Sequence, residues 1–175
     1  MNARTIAITA VMIAITAAIT ASPLRVPSGI GYGNLSDVFV MFAAFSFGPM
    51  VGFATGGIGA GIADLIGFPP FAPLTFLAHG LEGLVAGYLG SRTNSLPRML
   101  LAWAAGSVVM IAVYFFGELL VPQLWGGAPQ AFADLLTDVG QAGLGLIGVA
   151  LALLVRKAYP PITQMVSGPT WVEEK

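Results

Sequence analysis

The stretch VFVMFAAFSFGPMVGFATGGIGAGIA, residues 38–63, decides the fold because it holds 26 consecutive residues without a charged side chain. A helix that spans a bilayer needs about 20 apolar residues, so the stretch is either one long kinked helix or two short helices. Gly48-Pro49 lies in its middle. Proline lacks a backbone donor and clashes with the preceding turn, and glycine loosens the chain. We therefore predict two helices, at about 35–48 and 49–66.

The composition of the whole chain is that of a protein solvated by lipid. Of its 175 residues, 57 % are apolar and only 9 % are charged, whereas soluble domains are about a quarter charged. The net charge of −1 offers no basic surface for nucleic acid. The absence of cysteine excludes disulfides and thiolate chemistry. His79 is the only histidine, which excludes a histidine-rich metal site or a bis-histidine haem, and we predict neither metal nor cofactor.

Four further stretches are long and apolar enough to span a membrane, at about 4–22, 73–91, 98–119 and 136–156. The first runs uncharged from Thr5 to Leu24 and other spans follow it, so we interpret it as a retained helix rather than a signal peptide. The predicted fold class is an all-α membrane protein, a bundle of six transmembrane helices within residues 1–159. Residues 160–175 are predicted to form a cytoplasmic tail after Pro160-Pro161.

The placement of cations favours six spans over five. With six spans and both termini in the cytoplasm, six of the seven cations lie on the cytoplasmic side, as the positive-inside rule requires. They are Arg4, Arg92, Arg98, Arg156, Lys157 and Lys175. Only Arg25 then lies outside. With five spans, Arg92 and Arg98 would lie opposite Arg4.

The acidic residues cluster at the outer ends of the predicted helices. Those near the ends are Asp37, Asp64, Glu118, Asp134 and Asp138, and Glu82 lies deeper. One interpretation is an outward-facing pocket whose carboxyls accept hydrogen bonds from amine or hydroxyl groups of a small molecule. The alternative is that helix-end acids simply meet water, and that acids near helix starts are favoured by the helix dipole.

Other polar and aromatic residues recur at helical spacing. His79 and Glu82 share one helix face, where they either pair structurally or bind a ligand. Asp134, Asp138 and Gln141 descend one face of the last span. Aromatic residues lie at the same level, and they either stack on a planar ligand or form a membrane-interface belt. They are Phe68, Phe71, Tyr114, Phe115, Phe116 and Trp125.

Small residues form stripes on several helices. On the first span they are Ala3, Ala7, Ala10, Ala14, Ala17 and Ala21. Such a stripe lets helices approach closely in lipid, and it serves either packing within the chain or docking to another membrane protein. For the glycine faces Gly52, Gly56, Gly57, Gly61 and Gly83, Gly87 we predict internal packing.

The chain lacks a phosphate-binding P-loop, since neither of its two lysines, Lys157 and Lys175, follows a glycine. No nucleophile–histidine–carboxylate motif stands out. We therefore predict that the protein is not an enzyme, and that any ATP hydrolysis occurs on other chains.

Motifs along residues 30–90 resemble the S components of energy-coupling factor (ECF) transporters, particularly the riboflavin-transporter-like family. Gly31-Tyr32-Gly33-Asn34-Leu35-Ser36-Asp37 precedes the second span, and Gly48-Pro49-Met50-Val51-Gly52 forms the turn after it. Residues 56–65 (GGIGAGIADL) close the third span, and His79-Gly80-Leu81-Glu82-Gly83 lies in the fourth. Relatives often carry lysine at the position of His79-Gly80-Leu81. This sequence departs from them there, so the motif does not identify the substrate.

The resemblance implies a six-helix subunit in the cell membrane that captures a vitamin or related micronutrient from outside. It implies partners: a transmembrane coupling protein (T component) docked on the alanine stripe, and two cytoplasmic ATPases. Substrate-binding positions would be Asn34 and Asp37, with His79, Glu82, Tyr114, Asp138 and Gln141 as further candidates. The acidic residues favour a thiamine precursor, pyridoxine or riboflavin-like ligand over a carboxylate-rich one. The rival hypotheses are a stand-alone proton-coupled transporter or channel using His79 and Glu82, and a structural subunit without a ligand.

Overall fold

The computed structural model describes residues 3–24, 26–28 and 31–166. Its elements in chain order are α1 (Ala3–Ala21), the strands β1 (Val26–Ser28) and β2 (Gly31–Gly33), α2 (Ser36–Phe47), α3 (Pro49–Ala54), a π-helix (Thr55–Ala60), α4 (Gly61–Gly67), a 3-10 helix (Pro69–Phe71), α5 (Ala72–Gly90), α6 (Leu96–Leu120), α7 (Pro122–Trp125), α8 (Gly127–Ala158) and a last 3-10 helix (Pro160–Gln164).

The uncharged stretch 38–63 forms two helices, as predicted, and the single kinked helix is wrong. The chain breaks at Gly48, whose φ of 94° is accessible mainly to glycine. Pro49 then occupies the first turn of α3, where its missing donor costs nothing. From Pro49 to Gly67 the chain is helical throughout, with the π-helix in its middle.

The structure shows an all-α membrane protein but does not establish how many helices span. Among the described residues, four helical segments are long and apolar enough: Ala3–Ala21, Pro49–Gly67, Leu96–Leu120 and Gly127–Ala158. Ser36–Phe47 is apolar but has only 12 residues. α5 has 19 residues, yet it carries buried His79 and Glu82. Six spans therefore stay a prediction.

Two connecting segments contain secondary structure that the sequence did not predict. The last span was predicted to begin at about residue 136, but α7 fills Pro122–Trp125 and α8 begins at Gly127. Polar residues on the inward face of α8, such as Gln130 and Asp134, are buried, and their polarity masked the helix in the sequence. The segment before α2 contains a hairpin that pairs Val26 with Gly33 and Ser28 with Gly31.

The glycine faces pack internally, as predicted. A Cβ on Gly52 would lie 2.6 Å from the Gly83 carbonyl oxygen, and one on Gly56 would lie 2.7 Å from the His79 carbonyl carbon. A Cβ on Gly87 would lie 2.6 Å from Pro49. Side chains at these positions would force α3 and the π-helix away from α5. The absent side chains thus fix the position of α5, which carries His79 and Glu82.

α1 has two distinct faces. Its buried residues are Thr5, Thr9, Met12, Thr16 and Thr20, so a threonine-rich stripe faces the bundle. The alanine stripe lies on the other side, where five of its members are exposed and Ala17 is half-buried. Packing of the alanines within the chain, one of the two interpretations left open by the sequence, does not account for them.

The end of the bundle that holds residues 3 and 166 is fastened by Arg156 of α8. Its guanidinium donates hydrogen bonds to the Ser91 and Thr93 carbonyl oxygens at 2.7 Å and to the Phe45 carbonyl oxygen. It also reaches the side chain of Asn94 at 3.3 Å. A buried cation thus satisfies carbonyl groups at the ends of α2 and α5, which have no partner within their own helices. Thr5 bonds to the Val166 carbonyl at this same end.

Candidate functional site: a polar pocket at one end of the bundle

A pocket opens at the end of the bundle opposite Arg156. About 480 Å³ of space, including its mouth, lies between the hairpin and the ends of five helices. Its walls combine hydroxyl, amide, carboxyl and aromatic groups. The lining residues are Thr20, Tyr32, Asn34, Asp64, Phe68, Phe71, Thr75, Tyr114, Glu118, Asp134, Thr137, Asp138 and Gln141.

One wall of the pocket is acidic. Glu118 comes from the last turn of α6, and Asp134 and Asp138 come from consecutive turns of α8. The Gln130 amide donates a 2.5 Å hydrogen bond to Asp134. Glu118 is only 1 % exposed; its carboxyl pairs with that of Asp134 and accepts no hydrogen bond from a donor among the described residues. This wall therefore presents carboxyl oxygens to the pocket.

The facing wall is a chain of hydrogen bonds that ends on Asp64. The Tyr114 hydroxyl donates to Thr75 Oγ1 at 2.9 Å, and Thr75 donates in turn to Asp64. The Tyr32 hydroxyl donates to the other oxygen of Asp64. The Tyr32 ring lies 5.2 Å from the ring of Phe68. Because Tyr32 belongs to β2, these contacts hold the hairpin over the pocket.

The floor of the pocket is formed by the Gln141 side chain and by the residues that lead into α2. The Asn34 backbone N–H donates to Gln141 Oε1 at 2.7 Å. Gln141 Nε2 then points away from the pocket, 3.1 Å from Asp37 Oδ1 and 3.2 Å from His79 Nε2. Gln141 therefore joins the pocket to a deeper group of polar residues.

That deeper group consists of Asp37, His79 and Glu82, each no more than 1 % exposed. His79 Nδ1 lies 3.0 Å from Glu82 Oε2 and 3.2 Å from Asp37 Oδ1. Because the Gln141 amide donates toward Nε2, the proton of a neutral His79 lies on Nδ1, between the two carboxyls. His79 and Glu82 pair on one helix face, which is one of the two interpretations that the sequence left open.

The structure divides the seven residues that the sequence singled out as substrate-binding candidates. Asn34, Tyr114, Asp138 and Gln141 line the pocket. Asp37, His79 and Glu82 do not; they lie beneath its floor. A ligand in the pocket would therefore reach them through lining residues, such as Gln141 and Tyr114, whose ring lies 5.7 Å from that of His79.

Several lining residues were not named as candidates. Asp64, Glu118 and Asp134 had been recognised as outer-end acids, and Phe68 and Phe71 as aromatics at that level. Thr20, Thr75 and Thr137 carried no signal, because single hydroxyl groups in apolar helices are common packing residues. Tyr32 stood in the motif before the second span but was not named as a candidate. Thr20 and Thr137 come from helices far apart in the chain.

Two comparisons with known proteins bear on the class of this protein. The chain matches the model of the family "ECF-type riboflavin transporter, S component" over residues 1–160. It is also 34 % identical over 142 residues to a Pyrococcus woesei protein named "Uncharacterized protein in gap 3'region". That alignment covers 81 % of this chain and 93 % of the relative.

Fold and pocket together define a helical membrane protein with a polar pocket at one end of the bundle. The chain belongs to the family of ECF-type riboflavin transporter S components. The resemblance seen in the sequence is thereby confirmed. A member of this family is a transporter subunit involved in vitamin uptake and is not an enzyme.

Proposed function

We propose that the protein is the substrate-specific subunit of an ECF-type importer, and that its pocket captures a vitamin-sized heterocycle bearing amine or hydroxyl groups. The observation that carries this proposal is the pocket itself, with four acidic side chains from α4, α6 and α8 and the aromatic rings of Phe68 and Phe71. Carboxyls accept hydrogen bonds from a ligand's donors, and rings pack against a planar heterocycle.

The pocket's polar groups favour a donor-rich ligand over a carboxylate-rich one. Among its described lining residues there is no lysine, arginine or histidine. The Glu118 carboxyl, which pairs with Asp134 and accepts from no donor among the described residues, favours a ligand that donates hydrogen bonds, since a buried carboxyl with few partners is costly. A thiamine precursor, pyridoxine or a riboflavin-like molecule supplies such donors on a planar ring.

We further propose that six helices span the cell membrane and that both termini are cytoplasmic. The pocket then faces outward, because Thr20 lines it while Thr5, some 22 Å away along the same helix, bonds to Val166. The cations Arg92, Arg98 and Arg156 gather at the end away from the pocket. That placement agrees with the positive-inside rule.

The proposed partners are a T component and two ATPases, with the alanine stripe of α1 as the docking face. Small exposed residues allow a partner helix to approach closely, and the stripe is turned away from this chain's own bundle. The T component would occupy that face, and ATP hydrolysis on the ATPases would drive uptake.

Ligand capture is tested by mass spectrometry of the small molecule released from the purified protein, followed by titration of that molecule into protein stripped of it. We expect one heterocycle per chain, with binding weakened in Glu118→Gln. A protein that carries no small molecule, and binds none of the vitamins named above, would contradict the proposal.

Docking is tested by co-purification with the T component. Ala10→Leu and Ala14→Leu should abolish co-purification but leave ligand binding intact. Val11→Leu is the matched control, because Val11 is an exposed residue of α1 outside the stripe. Equal loss in all three variants would contradict a docking role for the stripe.

The rival function is stand-alone proton-coupled transport through His79 and Glu82, favoured by their buried 3.0 Å contact. Proteoliposomes that contain this chain alone separate the two functions. Uptake driven by a proton gradient without any ATPase would support the rival. Uptake that requires the T component and the ATPases would support the importer.

A further inference from the structure

Beneath the pocket floor lies a group of three buried polar residues that do not line the pocket. Asp37 stands in the first turn of α2, and His79 and Glu82 stand on α5. Their exposures are 0 %, 1 % and 0 %. Two acids and an imidazole enclosed in an apolar bundle are expensive, and such groups normally serve a function.

The three side chains have the spacing of metal ligands. One ligand atom from each lies within 4.8 Å of the others. His79 Nδ1 lies 3.2 Å from Asp37 Oδ1 and 3.0 Å from Glu82 Oε2. Tetrahedral zinc, with bonds of about 2.0–2.2 Å, holds its ligands roughly 3.3–3.6 Å apart. Small movements would therefore convert the contacts into coordination bonds.

A second observation points to a missing cation. Asp37 Oδ2 and Glu82 Oε1 are fully buried and have no hydrogen-bond partner among the described residues. The other oxygen of Asp37 receives the Gln141 amide, the Ser36 hydroxyl and His79. Because the two carboxyls are buried beside each other, their charge must be offset by a cation or by a proton shared between them.

We infer that Asp37, His79 and Glu82 bind a divalent transition-metal ion of the zinc type. Two carboxylates and a neutral imidazole balance a charge of +2, so the loaded site is neutral, which lowers the cost of its burial. Imidazole suits zinc and its neighbours, whereas calcium and magnesium prefer oxygen ligands in larger number. The inference departs from the sequence-based expectation of no metal and does not depend on the proposed vitamin.

Metal binding would change the hydrogen bonds at the pocket floor. A metal bonded to His79 Nδ1 moves the imidazole proton to Nε2, which then faces the donor Gln141 Nε2 at 3.2 Å. The Gln141 amide must turn to accept that proton. Turning removes its 2.7 Å acceptor from the Asn34 backbone N–H. The metal would in this way act on Asn34 and Gln141, both of which line the pocket.

The test is titration of Co²⁺ into the purified full-length chain in detergent, after chelator treatment and dialysis. Co²⁺ replaces zinc and reports tetrahedral coordination by visible absorption. We expect one Co²⁺ per chain, displaced by one Zn²⁺. Glu82→Gln and Asp37→Asn should weaken Co²⁺ binding by at least about 100-fold, given that even outer-shell changes cost 10–100-fold.

Glu174→Gln is the matched control, because it removes a carboxyl that belongs neither to the pocket nor to the three ligands. It should bind Co²⁺ like the unmodified chain. Absence of Co²⁺ and Zn²⁺ binding by the unmodified chain would overturn the inference and leave the group to protons alone. Binding that persists undiminished in Glu82→Gln and Asp37→Asn would overturn it as well. Neither result bears on vitamin capture, which is measured separately.

Discussion

The two ends of the bundle treat charge in opposite ways. At the pocket end, acids from three helices converge, and Glu118 pairs with another acid, Asp134, and accepts from no donor among the described residues. At the far end, the guanidinium of Arg156 donates hydrogen bonds to carbonyl oxygens of this chain. A charged side chain whose hydrogen bonds are made within the chain contributes to stability, whereas one with few partners in the chain can bind a ligand. The contrast predicts stability effects at one end and binding effects at the other.

Arg156→Met should produce the largest effect. It leaves the carbonyl groups of Phe45, Ser91 and Thr93 without their donor in a buried place. The free energy of unfolding should fall by about 3 kcal/mol, measured by thermal denaturation in detergent. Lys157→Met, at an exposed neighbour, is the control and should change little. Equal stability of the two variants would break the comparison.

Glu118→Gln should reverse that pattern. Its carboxyl pairs only with that of Asp134 among the described side chains, and a glutamine amide can donate to Asp134 in its place, so the protein should not lose stability. Ligand affinity should fall about 10–100-fold if a donor of the ligand meets the carboxyl. Isothermal titration with the released ligand measures the change. Loss of stability with unchanged affinity would show that Glu118 is structural.

Gln141→Leu should affect both properties, because Gln141 joins the pocket floor to the buried group. It removes the bonds to the Asn34 backbone and Asp37, so we expect a loss of about 2 kcal/mol in stability with weaker ligand binding. A change in only one of these properties would show that the pocket and the group beneath it are independent.

Tyr32→Phe should have the smallest effect. It removes the hydrogen bond from the hairpin to Asp64 but keeps the ring against Phe68. The variant should lose about 1 kcal/mol of the free energy that holds the hairpin over the pocket, which should raise the ligand dissociation rate about fivefold. Stopped flow measures this rate. An unchanged rate would show that the hairpin does not retain the ligand.

The membrane fold could be predicted from local sequence because its signals are local. Uncharged stretches of helical length set the segments, and Gly48-Pro49 set the break between α2 and α3. Glycine spacing indicated close packing, which the contacts of Gly52 with Gly83 confirm. The start of α8 was missed because hydropathy cannot distinguish an exposed polar loop from a helix that turns polar residues inward.

The candidate site was only partly predictable. Helical spacing brought His79 and Glu82 together, but it could not show that Asp37 joins them from α2 across the bundle. It also could not show that Gln141 separates these residues from the pocket.

The sequence by itself determined that this chain is a lipid-solvated helical bundle with acids near one set of helix ends, because charge density and helical period are properties of neighbouring residues. Only the tertiary structure decided which acids share a pocket, which are enclosed beneath it, and which face of α1 remains free. Those outcomes depend on contacts between residues up to about a hundred positions apart, such as Asp37 and Gln141, and no local pattern encodes them.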